Sequence, residues 1–137
     1  MGGGGVTMEL TETPWYKSGE VVIDTKHFIV YKDKYPVTEG HVLIVPKTRD
    51  WSGLEKAYKA AYQWGYDWVE RGYCDAFNIG QNVGEAAGQT IDYPHIHLIP
   101  RRKLDMEDPT GGVRHTIPGK GNYKKYEPAP EQMRLFE

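Results

Sequence analysis

Short runs of β-branched and aromatic residues, separated by turn-forming residues, predict β-strands in the first part of the chain. Glu20–Tyr31 holds two such runs around Asp24-Thr25-Lys26, which predicts a β-hairpin. His41–Val45 reads HVLIV and predicts a third strand that ends at Pro46. Phe77–Gln81 predicts a fourth strand. These segments indicate that a β-sheet forms much of the fold.

A different spacing begins near residue 52, where apolar residues recur every three or four positions. The recurring residues are Leu54, Tyr58, Ala61, Gly65 and Trp68. This spacing predicts one amphipathic helix over residues 52–71. Ser52 is predicted to cap its first turn, with Glu55 completing a capping box, and Gly72 to end it.

The stretch Gly88–Arg102, which reads GQTIDYPHIHLIPRR, predicts the fifth strand and carries candidate chemistry. Side chains alternate between the two faces of a strand, so His95 and His97 share one face. Ile96 and Leu98 point to the other face, which we expect to be core. Five strands and one principal helix, about 52–71, predict an α+β domain with a mostly antiparallel sheet.

Length and composition narrow the class of protein. The 137 residues suffice for one domain, and the net charge of −2 indicates no nucleic-acid or membrane-surface partner. No apolar run approaches the roughly 20 residues that span a bilayer. Cys74 has no second cysteine to pair with, and Met1–Thr7 lacks the features of a signal peptide, so a cytoplasmic location is expected. We expect a flexible Gly-rich leader over 1–7, a single domain over 8–126 and a C-terminal tail over 127–137.

The pair His95 and His97 admits three interpretations. The two imidazoles can be ordinary surface or core histidines. They can be half of a zinc or iron site, which requires further ligands, for example from His27, His41 or His115. They can also serve nucleophilic catalysis, in which a neutral imidazole attacks phosphorus or carbon.

The segment Asn78–Thr90, immediately before the histidines, supplies groups that phosphoryl chemistry needs. It reads NIGQNVGEAAGQT, and its glycines allow close approach of the backbone to a ligand. Asn82, Gln89 and Thr90 add neutral hydrogen-bond donors. An ordinary glycine-rich connection remains the alternative, and the segment contains neither a Walker A motif nor a dinucleotide fingerprint.

Two ordered motifs together resemble the histidine triad (HIT) family of nucleotide hydrolases and transferases. The family's strand has the form His-φ-His-φ-His-φ-φ after Gly-Gln-Ser/Thr, and here Gly88-Gln89-Thr90 precedes Tyr93-Pro94-His95-Ile96-His97-Leu98-Ile99-Pro100-Arg101. Asp33 to His41, followed by VLIVPK, is similar to the family's Asp-x-x-Pro…Gly-His segment. The resemblance covers about 20–102, and 108–118 is similar to a tail in some bacterial members.

The resemblance implies roles for individual residues. His95 would be the nucleophile that attacks the α-phosphate, and His97 would hydrogen-bond a phosphate oxygen. His41 would support this pair. The residues expected to hold the phosphate chain and the leaving group are Gln89, Thr90 and Asn82. For the nucleoside, Asp33 would bind the ribose hydroxyls and Tyr31 would line the base pocket, with a turn Asp and a core aromatic as the alternatives.

The chain departs from the family pattern at two places. Tyr93 stands in the first-histidine position, where a hydroxyl can still donate and accept a hydrogen bond, so we expect an orienting role. Thr48-Arg49 stands where a histidine usually follows Pro46-Lys47. The second departure has no consequence that the sequence reveals.

The implied function is hydrolysis or nucleotidyl transfer on an adenylylated substrate through a nucleotidyl-histidine, with no cofactor and no metal. Dinucleoside polyphosphates, phosphoramidates and nucleotide sulfates are the expected substrates. We expect a homodimer, because the predicted helix carries more aromatic residues than one core face can absorb. These are Trp51, Tyr58, Tyr62, Trp64, Tyr66 and Trp68. The rival functions are a zinc-binding domain that uses the histidine pair and a non-catalytic nucleotide-binding module.

Overall fold

The predicted strands and helix assemble into a five-stranded antiparallel sheet covered on one face by the helix. The structure is a computed structural model and describes residues 7–125. The predicted leader, apart from Thr7, and the predicted tail over 127–137 lie outside the described residues. The chain divides into two compact units at Asp105/Met106, and each is described by itself.

The strands follow the hydrophobic runs closely. They are β1 Val21–Asp24, β2 Phe28–Lys32, β3 Val42–Pro46, β4 Ala76–Gly80 and β5 Ile96–Arg101. Their order in the sheet is β1-β2-β3-β5-β4, and every neighbouring pair is antiparallel. The prediction of an α+β fold with five strands and one main helix is therefore confirmed.

Two α-helices are present among the described residues of the first unit. The short α1 spans Pro14–Ser18, and the long α2 spans Trp51–Glu70. The predicted capping box is wrong, because Asp50 rather than Ser52 caps α2 by accepting a hydrogen bond from the Gly53 N–H. An aspartate carboxylate is as good an acceptor as a serine hydroxyl, so the helix begins one residue earlier than predicted.

Side chains along β5 point alternately to the two faces of the sheet, and the two faces differ. Ile96 and Leu98 are fully buried in a cluster with Ile44 of β3 and with Ala57 and Ala61 of α2. Burial of these apolar side chains between sheet and helix is the main source of stability. His97, between the two, therefore points to the opposite face of the sheet.

The opposite face carries a second buried cluster made by β2, β3 and residues outside the strands. Its members are Trp15, Ile29, Tyr31, Leu43, Val45 and Tyr93. It packs α1 against the sheet, next to the end of β5 from which the histidines project.

Residues 106–125 form short 3-10 helices over Gly112–Thr116 and Tyr123–Lys125, joined by turns. Within this unit, Asp108 accepts hydrogen bonds from the Thr110 N–H and from the Asn122 side chain. Across both units, no helix among residues 7–125 has the length and apolar character needed to cross a membrane.

Candidate active site

Three candidate residues meet because β3 lies between β2 and β5 in the sheet. Asp33 follows β2, His41 precedes β3, and the Asp33 N–H donates to the His41 carbonyl at 3.1 Å. Leu43 of β3 is paired with His97 of β5. This register brings Asp33, His41 and His97 together on the face opposite α2.

His95 lies just before β5 and is almost completely buried, with 6% of its surface exposed. Its Nδ1 lies 2.7 Å from the Tyr93 carbonyl oxygen. A carbonyl only accepts hydrogen bonds, so in the neutral imidazole Nδ1 carries the proton. Nε2 of His95 therefore keeps an unshared electron pair, which a nucleophile requires.

In His97, by contrast, Nε2 carries the proton and Nδ1 has the free electron pair. The Val37 N–H donates to Nδ1 of His41 at 3.1 Å, so neutral His41 carries its proton on Nε2. That Nε2–H faces Nδ1 of His97 at 2.9 Å and the Asp33 carboxylate at 3.3 Å. Nδ1 of His97 is thus an acceptor, and its Nε2–H is free to donate to a ligand. The hydrogen bonds make His95 suitable as a nucleophile and His97 suitable as a donor.

The environment keeps the three imidazoles neutral. Burial lowers the pKa of His41 and of His95, and the nearby Asp33 carboxylate opposes this in both cases. Burial, with the His95 and His41 imidazoles close by, lowers the pKa of His97 to about 4. At neutral pH the site therefore presents an unprotonated nitrogen and an uncharged N–H donor side by side.

These lowered pKa values predict that the free energy of unfolding decreases as the pH falls from 6.5 toward 4. In that range the unfolded chain binds protons at its ordinary histidines, whose pKa is about 6.5, while the folded chain does not. Urea unfolding midpoints at pH 7.5, 6 and 5 measure the effect. Replacing His97 by Gln should flatten the slope, and equal midpoints at all three pH values would contradict the assignment.

The glycine-rich connection differs in detail from its prediction. Oε1 of Gln89 accepts the Gly84 N–H at 2.8 Å, and its Nε2 donates to the Ile91 carbonyl at 3.0 Å. Both ends of the Gln89 side chain are thus engaged within its own loop. Asn82 is half-buried and Thr90 is exposed, each near the end of this loop.

Tyr31 and Asp33 also have contacts that the sequence did not reveal. Tyr31 is 1% exposed and stacks on Trp15, with ring centroids 6.5 Å apart, so it lies in the core. One carboxylate oxygen of Asp33 accepts the Tyr35 N–H at 2.8 Å, and the other faces His41. Asp33 therefore supports the histidine pair, in addition to any contact with a ligand.

Trp15 also lies at the site, which the sequence pattern did not predict. Its ring lies 4.6 Å from the His95 ring, centroid to centroid, and covers the imidazole from the α1 side. The signal was present in Thr13-Pro14: Thr13 accepts the Tyr16 N–H as the N-cap of α1, and proline is favoured at the first helical position. A recognised helix start would have placed Trp15 on an element next to the sheet.

His41 does not fit the role of a metal ligand. Ligand atoms of Asp33, His41 and His97 lie within 4.8 Å of one another, which is close enough for shared coordination. A histidine that binds metal through Nε2 normally donates its Nδ1–H to an acceptor. Nδ1 of His41 instead faces the Val37 N–H, a donor, so its Nε2 must keep the proton and cannot bind the ion.

A cavity of about 640 Å³ adjoins the site without containing its reactive atoms. Asp33 and His41 contribute to its wall, with Lys32, Trp68 and Arg71. Neither His95 nor His97 is among the described residues that line it. The candidate site is therefore centred on the histidines, whose hydrogen bonds define distinct chemical roles, rather than on the cavity.

Comparison with known proteins identifies the family. The family model for the HIT domain matches residues 17–104. The chain is 32% identical over 105 residues to the adenosine 5'-monophosphoramidase of Saccharomyces cerevisiae, covering 67% of this chain and 58% of that protein. It is 31% identical over 103 residues to the bis(5'-adenosyl)-triphosphatase of Dictyostelium discoideum, covering 69% of each.

Solved structures agree with the sequence comparison. A Zn-bound histidine triad family protein from Mycobacterium smegmatis superimposes with a TM-score of 0.60 at 26% identity, covering 71% of this chain and 73% of that one. A HIT family member from Bacillus subtilis superimposes with a TM-score of 0.57 at 25% identity, covering 81% and 79%. With the sheet order and the paired histidine strand described above, these matches show that the chain belongs to the histidine triad (HIT) family.

Proposed function

We propose that the chain is a nucleotide hydrolase or nucleotidyl transferase that cleaves at the α-phosphate of an adenylylated substrate. The observation that carries the proposal is the hydrogen bond from His95 Nδ1 to the Tyr93 carbonyl, which leaves Nε2 free to attack. Membership of the HIT family supports it. So do the relatives named as an adenosine 5'-monophosphoramidase and a bis(5'-adenosyl)-triphosphatase.

In the first step, the Nε2 electron pair of His95 forms a bond to the α-phosphorus. The bond from phosphorus to the leaving group breaks, and the leaving group keeps the electron pair and takes a proton from solvent. The Nε2–H of His97 donates to a non-bridging oxygen, where negative charge accumulates. The His41 Nε2–H, which donates to His97 Nδ1, keeps His97 in the tautomer that can donate from Nε2.

In the second step, a water oxygen bonds to phosphorus and the N–P bond breaks. The electron pair returns to Nε2 of His95, the water loses a proton to solvent, and the nucleoside monophosphate is released. Another acceptor in place of water would make the reaction a transfer. The His95 ring carries a formal positive charge only while it is bonded to phosphorus, and the hydrogen bond from its Nδ1–H to the Tyr93 carbonyl stabilises that charge.

The remaining residues are proposed to bind the nucleotide. We assign Thr90 and Asn82 to the phosphate chain, because both lie on the loop that leads to His95. Gln89 is assigned to shape that loop through its contacts with Gly84 and Ile91. Asp33 is proposed to bind the ribose hydroxyls.

We also propose a homodimer in the cytoplasm. Trp64 and Trp68 of α2 are half-buried against the sheet, whereas Tyr62 and Tyr66 are each 56% exposed and contact Phe77 edge to face. Phe77 belongs to β4, an edge strand of the sheet. An unpaired strand edge beside exposed aromatic rings is suited to a second copy of the chain. Sedimentation of the wild-type chain should give twice the monomer mass.

A turnover screen tests the catalytic proposal. The substrates are diadenosine triphosphate, diadenosine tetraphosphate, adenosine 5'-phosphoramidate and adenosine 5'-phosphosulfate, and release of AMP is measured. We expect AMP from at least one of them. Binding of AMP without turnover of any of the four would identify a non-catalytic nucleotide-binding module instead.

A further inference from the structure

The two positions at which the chain departs from the family's motif contact each other in the structure. Tyr93 occupies the first-histidine position, and Arg49 follows the Pro-Lys at the end of β3. The Arg49 guanidinium lies over the Tyr93 ring, 4.9 Å from its centroid. Two exceptions that look independent in the sequence are therefore one feature in space.

Tyr93 connects this feature to the reactive histidine. Its hydroxyl donates to the Pro46 carbonyl at 2.7 Å, and its ring is 2% exposed. Its own carbonyl oxygen accepts the hydrogen bond from Nδ1 of His95. The side chain is thus anchored at the end of β3, while the backbone sets the orientation of His95.

The sheet itself does not hold the Tyr93 carbonyl. β5 begins at Ile96, and Pro94 has no N–H with which to join a strand ladder. The Tyr93 N–H donates to the Ile91 carbonyl at 2.8 Å, and side-chain contacts complete the positioning of this segment. Arg49 provides them, because it donates to the Asp92 carbonyl and to the Met8 carbonyl while covering the Tyr93 ring.

Arginine is suited to this combination of contacts. Its planar guanidinium can stack on an aromatic face and at the same time donate in its plane to carbonyl oxygens. A lysine ammonium cannot do both.

We propose that Arg49 and Tyr93 are a coupled pair of positioning residues that fix the proton of His95 on Nδ1. Neither side chain touches the reacting atoms. Both act through the Tyr93 carbonyl, which holds the His95 ring in the orientation and tautomer that leave Nε2 free. The effect on turnover rests on the proposed function, whereas the effect on the His95 tautomer does not.

The first test replaces Arg49 by Ala and, as a milder change, by Lys. Long-range proton–nitrogen NMR spectra of the imidazoles report which ring nitrogen of His95 carries the proton. In the wild-type chain we expect the proton on Nδ1. In both variants we expect a mixture of the Nδ1–H and Nε2–H tautomers. For the best substrate of the screen, kcat should fall about three- to tenfold, with KM nearly unchanged.

A double-mutant cycle tests the coupling. Tyr93→Phe removes the hydroxyl that donates to Pro46 and should also lower kcat about three- to tenfold. Because both residues act on one carbonyl, Arg49→Ala combined with Tyr93→Phe should cost less than the product of the two single effects. A cost equal to that product would overturn the proposed coupling.

Arg102 offers a matched control. Its guanidinium lies 4.8 Å from the centroid of the Tyr73 ring and donates to the carbonyls of Glu39 and Tyr73, the same set of contacts. It contacts neither His95 nor Tyr93. Arg102→Ala should leave the His95 nitrogen spectrum unchanged.

The outcomes separate this inference from the proposed function. An inactive wild-type chain would refute the catalytic proposal, and the NMR spectra would still test the pair. An active wild-type chain whose Arg49→Ala and Arg49→Lys variants keep the wild-type His95 spectrum and kcat would overturn the pair and leave the catalytic proposal standing. A changed spectrum in Arg102→Ala would also overturn it, because the effect would then not be specific to Arg49.

Discussion

Replacing His95 by Ala is expected to lower kcat for an adenylylated substrate by a factor on the order of 10⁴ or more. The substitution removes the nitrogen that bonds to phosphorus, and the structure offers no equivalent lone pair beside it, because Nε2 of His97 carries a proton. Nucleotide affinity should change only a few-fold, since the proposed phosphate and ribose contacts come from other residues. Kinetics and calorimetric titration with AMP measure the two quantities.

The control for this variant is His27→Ala, which changes an exposed histidine in the turn between β1 and β2. Its kcat should match the wild-type value. A His95→Ala protein that keeps a tenth of the wild-type kcat would refute the nucleophile assignment. Loss of AMP binding with the fold intact would indicate a purely ligating role for His95.

Replacing His97 by Ala is expected to lower kcat by about 10²- to 10³-fold, the usual effect of losing one preorganised donor to a developing oxyanion. The donor matters most in the transition state, so KM should change little. His97→Gln should recover part of the loss, because its amide also donates and carries no charge. A raised KM with unchanged kcat would show instead that His97 contributes only to ground-state binding.

The variant His97→Gln also tests the hydrogen bonds that set the tautomer of His97. The His41 Nε2–H imposes the tautomer of His97 by donating to its Nδ1 at 2.9 Å, and the Asp33 carboxylate, 3.3 Å from His41 Nε2, favours the proton on that nitrogen. A glutamine side chain has no tautomers for these contacts to select, because its amide has a fixed donor and a fixed acceptor. The part of kcat that His97→Gln recovers over His97→Ala therefore measures what the hydrogen-bond donor contributes without the imidazole.

Much of the fold follows from local pattern. The apolar run at Val42–Val45 and the alternation around His97 determine which residues face α2, because a strand has a side-chain period of two. The spacing from Leu54 to Trp68 likewise specifies α2 within one residue at its start. These features are encoded by residues that are close together in sequence.

The chemical roles within the site could not be derived in the same way. The tautomer of His97 depends on the Val37 N–H acting through His41, and that contact exists only after the β2–β3 connection has folded. Gln89 and Thr90 look equivalent as donors in the sequence, but folding engages both ends of the Gln89 side chain in its loop. Hydrogen bonds that exist only in the folded chain decide these roles, both between residues close in sequence, as for Gln89, and between distant ones, as for His41 and His97.

The cap of α2 and the Arg49–Tyr93 contact also depend on contacts that form only in the folded chain. Asp50 and Ser52 are both good N-cap residues, and the turn at the end of β3 decides between them in favour of Asp50. Arg49 appears uninformative by itself in the sequence. Its role emerges only when β5 brings Tyr93 beneath it.

Trapping of the covalent intermediate shows whether His95 is the nucleophile. The wild-type chain is mixed with a substrate labelled at the α-phosphate and quenched in alkaline denaturant, in which a bond between phosphorus and imidazole nitrogen survives, and the labelled peptide is then sequenced by mass spectrometry. We expect an adenylyl group on His95. An adenylyl group on any other residue would contradict this assignment. AMP release with no labelled peptide at any quench time would also contradict it.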